Sequence, residues 1–151
     1  MGMPATRTSG APAAYEPIGR PLAHVSAISL FVEDLEAAKA FYRKVFDAYV
    51  VFEDESSVCV RFDHLFLNLL LVGAAQELVE PLAVAARDAG PRFKLSIWVD
   101  DVDAVCTGLQ NRGVELLNGP CDREWGMRSA SFVDPAGHSW EVAQKLSPSQ
   151  A

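Results

Sequence analysis

The chain repeats itself once, and this repeat limits its fold more than any other feature. The stretch "ISLFVEDLEAAKAFY" (28–42) aligns with "LSIWVDDVDAVCTGL" (95–109). Leu30 falls on Ile97, Phe31 on Trp98, Val32 on Val99, Glu33 on Asp100, Asp34 on Asp101 and Ala37 on Ala104, a constant offset of 67 residues (30 to 97). Each copy reads as an alternating strand, an acidic N-cap and a helix. Leu35, Ala38, Phe41, Tyr42, Val45 and Phe46 form the apolar stripe of the first helix, and Val102, Val105, Cys106 and Leu109 that of the second, with Gly113 at the C-cap. Strand signals follow each helix, at residues 49–53, 57–62 and 65–72, then at 114–117, 128–133 and 139–143. Between the copies, residues 80–89 read as a helix with Pro81 in its first turn and Gly90 ending it. The expected class is α+β: two β-α-β-β-β modules forming a curved mixed sheet with a concave groove and helices on the outer face.

A chain of 151 residues suits one domain or two small modules sharing a core. Residues 1–21, rich in Ala, Pro, Gly and Ser, read as a flexible tail without the apolar core of a signal peptide, and Met1-Gly2 finds no support as a lipidation site. The domain is expected over 22–145, as module one (22–73), a linker helix (74–93) and module two (94–145), with 146–151 a second tail. A net charge of −7 argues against nucleic acid, which needs a basic footprint. No window approaches the ~20 apolar residues of a membrane span. Cys59, Cys106 and Cys121 form no paired motif, so idle thiols in a reducing, cytoplasmic setting are expected.

The paired modules, "VEDLEAAKAFYRKVF", "VDDVDAV…RGV" and the closing "EWGMRSASFVDPAGHSWEV" together resemble the vicinal oxygen chelate superfamily, which holds glyoxalase I, extradiol dioxygenases and bleomycin-resistance proteins. The resemblance covers residues 22–145. It implies a divalent metal in the concave groove, held by side chains from the first and last strands of each module. Carried over residue by residue, those positions are Ala27, Asn68, Lys94 and Glu141. Alanine donates nothing, an amide oxygen is a poor anchor for a transition metal, and an ammonium repels one. Glu141 alone retains a ligand, so neither metal nor other cofactor is expected. His64 and His138 read as a solvated side chain and a turn residue, and His24 lies off the groove by strand parity.

The same parity places Ile28, Leu30 and Val32 under the first helix and leaves Ala27, Ser29 and Phe31 concave; Lys94, Ser96 and Trp98 are their counterparts. The expected ligand-binding set is Phe31, Asn68, Lys94, Ser96, Trp98, Trp125, Arg128 and Glu141, an aromatic-walled cleft with a few polar groups. Lys94 and Glu141 are expected to form an ion pair where the metal would sit, with Asn68 adding a hydrogen bond from across the groove. Two function classes fit. One is a metal-free protein that binds an aromatic or cationic small molecule, similar to the bleomycin-resistance branch. The other is a glyoxalase- or dioxygenase-like enzyme with an atypical metal set, or with acid/base chemistry through Glu141 or Lys94. No catalytic set is assigned. The expected partners are a small-molecule ligand and a second copy in a homodimer, with neither nucleic acid nor membrane.

Overall fold

The computed structural model describes residues 22–148, so the expected tail at 1–21 and the last residues lie outside the described residues. Module one runs β1 (Ala27–Val32), α1 (Leu35–Phe46), β2 (Tyr49–Glu53), β3 (Ser57–Phe62) and β4 (Leu65–Leu71); α2 (Val72–Val79) follows directly. Module two runs β5 (Lys94–Trp98), α3 (Val102–Asn111), β6 (Asn118–Asp122), β7 (Met127–Val133) and β8 (Ser139–Lys145). The modules build two four-stranded mixed sheets, β1-β4-β3-β2 and β5-β8-β7-β6, one from each copy of the repeat. In each, the first strand runs parallel to the last and the rest pair antiparallel.

The repeat is kept down to the helix caps. Asp34 Oδ1 accepts from Ala37 N at 3.0 Å, and Asp101 Oδ1 accepts from Ala104 N at 3.1 Å. Each such cap is worth about 1 kcal/mol. Leu30 and Val32 are fully buried with Ala38, Tyr42 and Val45 of α1, while Val102, Cys106 and Leu109 of α3 meet Ala130, Phe132 and Val142 of module two.

The helix-covered faces of both sheets share one core. Phe46 of α1 lies 4.8 Å from Trp140 and 6.1 Å from Phe132, ring centre to ring centre, and Tyr42 also touches Trp140. Because strand side chains alternate, the opposite face of each sheet points away from this core. Among the described residues, no helix is long and apolar enough to cross a membrane.

Two elements differ from expectation. The linker helix spans Val72–Val79, and 80–89 holds only a 3-10 turn at Arg87–Ala89 before Gly90. Pro81 disfavours helical geometry at the residue before it, and Glu80 is accordingly extended (φ −52°, ψ 144°), so the proline terminates a helix instead of opening one. The strand expected at 114–117 forms at Asn118–Asp122. Val114 instead donates to the Leu109 carbonyl and packs in the core, and pairing with β7 begins at Leu117 N, which donates to Ser131 O at 2.8 Å.

Candidate functional site

The polar centre lies on the open face of the second sheet. β5 presents Lys94, Ser96 and Trp98 away from the core, and the parallel register sets Ser96 beside Glu141 and Lys94 beside Ser139. Lys94 Nζ donates to Glu141 Oε2 at 2.7 Å, and Ser96 Oγ donates to Oε1 at 2.8 Å. The ion pair expected from the sequence is therefore formed, with both carboxylate oxygens engaged. The Glu141 side chain is 14% exposed and that of Lys94 52%. Burial pushes the Glu141 carboxyl upward, but the bonds from Lys94 and Ser96 and the charges of Lys94 and Arg123 outweigh it, leaving the group below its ordinary range.

Arg123 is a member of this cluster that strand parity could not supply, because it sits in the turn after the irregular β6. Its Nε donates to Ser129 Oγ at 2.8 Å and its Nη2 to Asn118 Oδ1 at 2.6 Å. The only hint in the sequence is a cation two residues from Trp125. Two cations therefore flank the Glu141 carboxylate. Trp98, 75% exposed, stands one step along β5 from Ser96 on the same face. Trp125, 71% exposed, lies in the β6–β7 turn of the same sheet.

The first sheet places its own polar row at the equivalent position. The registers set Ser29 beside Asn68 and Asn68 beside Cys59. Asn68 Nδ2 donates to Ser29 Oγ at 3.4 Å, on its own sheet, and does not supply the bond expected toward Glu141; Ser96 does. Phe31 also lies apart from Trp98. α2 packs back on β1 and β4, leaving Phe31 half-buried at the floor of a separate hollow. Arg128 is corrected as well. It shares the helix side of β7 with Ala130 and Phe132, where it bonds Asp103 of α3 at 2.9 Å and Asp122 at 3.0 Å. Those carboxylates hold its guanidinium above its ordinary range and keep it from the open face.

The metal implied by the resemblance does not fit these residues. Glu141, the one retained ligand, has an ammonium on one oxygen and a hydroxyl on the other, and the described residues contain no group of three or more His, Cys, Asp and Glu able to hold an ion. His24 is exposed, and His64 faces solvent beside Asp63 at 3.6 Å. The His138 ring donates through Nε2 to the Phe31 carbonyl at 2.8 Å and ties the β7–β8 turn to β1.

The Lys94–Glu141 pair has a measurable acid signature. A carboxyl depressed on folding contributes stability above its unfolded value, and that contribution is lost as pH falls through the lower folded value. Urea midpoints of wild type and Glu141→Gln should differ at neutral pH and converge on acidification. With Lys94 half exposed, the Lys94→Met/Glu141→Gln cycle should show coupling of about 1 kcal/mol. Simple additivity would mean the two side chains do not interact in solution.

Comparison with known proteins agrees with this architecture. The family model described as Glyoxalase/Bleomycin resistance protein/Dioxygenase superfamily matches residues 22–142. The uncharacterized protein YraH of Bacillus subtilis (strain 168) is 29% identical over 123 residues, 79% of this chain and 96% of YraH. A glyoxalase/bleomycin resistance protein/dioxygenase from Nocardioides superposes with a TM-score of 0.77 at 22% identity, covering 87% of this chain and 88% of that one. Lactoylglutathione lyase from Agrobacterium tumefaciens gives a TM-score of 0.66 at 25% identity, covering 83% and 96%. With the duplicated module, the paired sheets and a family match over most of its length, the chain belongs to the glyoxalase/bleomycin resistance protein/dioxygenase superfamily.

Proposed function

We propose that the chain is a small-molecule binding protein that works without a metal and holds a flat aromatic compound on the Trp98–Glu141 face. The observation that carries this reading is the state of Glu141. Its two oxygens are filled by Lys94 and Ser96, so an internal cation stands where a divalent ion would have to bind. A ligand cation would have to displace Lys94, and a general base would need a free carboxylate oxygen. The aromatic part of the expected ligand chemistry is therefore favoured over the cationic part, and sequestration of a drug or metabolite over catalysis. Trp98 offers a stacking surface, and the flanking Lys94 and Arg123 favour an aromatic ring bearing negative charge.

This face is half of a cleft. Within one chain it looks away from the shared core, as does the first sheet's open face, where Tyr49 and Phe52 are 71% and 57% exposed. A homodimer that lays the first sheet of one copy over the second sheet of the other encloses two equivalent grooves and covers these side chains. One experiment tests both parts. Tag-free protein, checked for mass by light scattering and for metal by elemental analysis, is titrated with naphthoate while tryptophan fluorescence is followed. The expected result is a particle of twice 16.4 kDa and saturable quenching unaffected by a chelator. Trp98→Ala should weaken binding about tenfold or more. About one tightly held ion per chain, released by Glu141→Ala, would overturn the metal-free reading. A monomeric mass would overturn the shared groove.

A further inference from the structure

We propose that the hollow above Phe31 is a second ligand site, suited to a small apolar monocarboxylate. The two modules differ here for a structural reason. Trp98 is bare, whereas its repeat partner Phe31 lies under α2 and the segment that leads from α2 to β5. The hollow measures about 310 Å3, and its apolar lining includes Val72, Val79, Val84 and Phe93. It sits on the first sheet, and its lining shares no residue with the Trp98–Glu141 face.

The walls are pinned by hydrogen bonds to three separate elements, which holds the space open. Gln76 of α2 grips the roof twice: its Nε2 donates to Leu82 O at 2.8 Å, and its Oε1 accepts from Val84 N at 3.0 Å. Further along, Arg87 Nε and Nη2 donate to Pro135 O at 3.1 and 2.9 Å and fasten the roof to the β7–β8 turn. The His138–Phe31 bond fastens that turn to the floor. A preformed apolar cavity with a few polar groups at its edge is the usual make-up of a small-molecule site.

The charge around the lining selects the head group. Arg87 and Arg92 stand against one carboxylate, Glu33. Arg87 spends its bonds on a carbonyl, and neither arginine has a carboxylate within ion-pair distance among the described residues. One positive charge is left over, which a monoanion neutralises, and the planar guanidinium of Arg92 matches a carboxylate. The volume sets the tail. At roughly 30 Å3 per water-sized group, the hollow holds about ten non-hydrogen atoms, the size of octanoate.

Isothermal titration of the full-length chain with hexanoate, octanoate and octylammonium tests this. Affinity should rise about fourfold for each added methylene up to octanoate. Octylammonium should not bind. Arg92→Gln should weaken octanoate by about tenfold. Val84→Trp, which fills the hollow, should abolish octanoate binding, and both variants should leave naphthoate binding unchanged. No saturable heat with octanoate would overturn the proposal, as would equal binding of octylammonium or indifference to Val84→Trp. Failure of naphthoate to bind, with octanoate binding intact, would instead strike the proposed function alone.

Discussion

Asp134→Ala should lower the unfolding free energy by about 3–5 kcal/mol in urea titration, because it leaves three donors without their acceptor, the Tyr42 hydroxyl among them fully buried. Asp134 is 2% exposed. Its Oδ1 accepts from Ala136 N at 2.9 Å and His138 N at 2.8 Å, and its Oδ2 accepts from Tyr42 OH at 2.6 Å. Trp140 Nε1 in turn donates to the Tyr42 hydroxyl at 3.0 Å. Burial, followed by the charge and hydrogen bond of Asp134, pushes the Tyr42 hydroxyl far above its ordinary range and keeps it a donor. Tyr42 belongs to α1 and Asp134 to the β7–β8 turn, so the network joins the two modules. Tyr42→Phe alone should cost about 1.5–3 kcal/mol, since the charge-assisted bond to Asp134 goes and Trp140 Nε1 loses its acceptor. The two changes together should cost clearly less than their sum, because they remove the same bond. A loss under 1 kcal/mol for Asp134→Ala would mean that water replaces the network.

That network shows where sequence reading reaches its end. The run Asp134-Pro135-Ala136-Gly137 was legible as a turn, and the turn is there, with Gly137 N donating to Asp134 O at 2.9 Å. Nothing local says that the Asp134 carboxylate will meet a tyrosine 92 residues earlier in the chain. Element order, caps and strand faces were legible because they depend on short-range periodicity and on a repeat that states each pattern twice. The Lys94–Glu141 meeting was legible only through the family resemblance, which implies that both positions face one metal site; the parallel pairing of β5 with β8 is what brings them together. Which faces the modules share was not, because that depends on how Phe46 and Tyr42 of one module pack on Trp140 and Phe132 of the other. Asn68 and Phe31 were misplaced through that gap. Arg128 is a different kind of miss. Its parity with Ala130 and Phe132 already put it on the helix side of β7. Pro81 was ambiguous, since a proline suits both the first turn of a helix and the residue after its end.

Gly119→Ala should be the most damaging change of a single methyl group, at about 4 kcal/mol or more, because conformation and space fail together. Gly119 has φ +79°, where a side chain is strained. A Cβ there would overlap the Ser129 carbonyl oxygen and lie 2.8 Å from Ala130 Cα. Both are backbone atoms of the neighbouring strand β7, so no side chain can swing aside and β6 itself has to lift. Gly108→Ala in α3 is the control: nothing lies within 4 Å of the added carbon, and helix propensity favours alanine by roughly 1 kcal/mol. The damage at Gly119 should also reach the binding face. Asn118 precedes it and holds Arg123, which adds to the positive field that depresses the Glu141 carboxyl. If Gly119→Ala still folds, lifting β6 loosens Arg123, and the Glu141 carboxyl should titrate closer to its ordinary range by carbon-detected NMR. An unchanged Glu141 titration in a destabilised Gly119→Ala protein would show that Arg123 holds its place through Ser129 alone, and that the edge strand does not support the site.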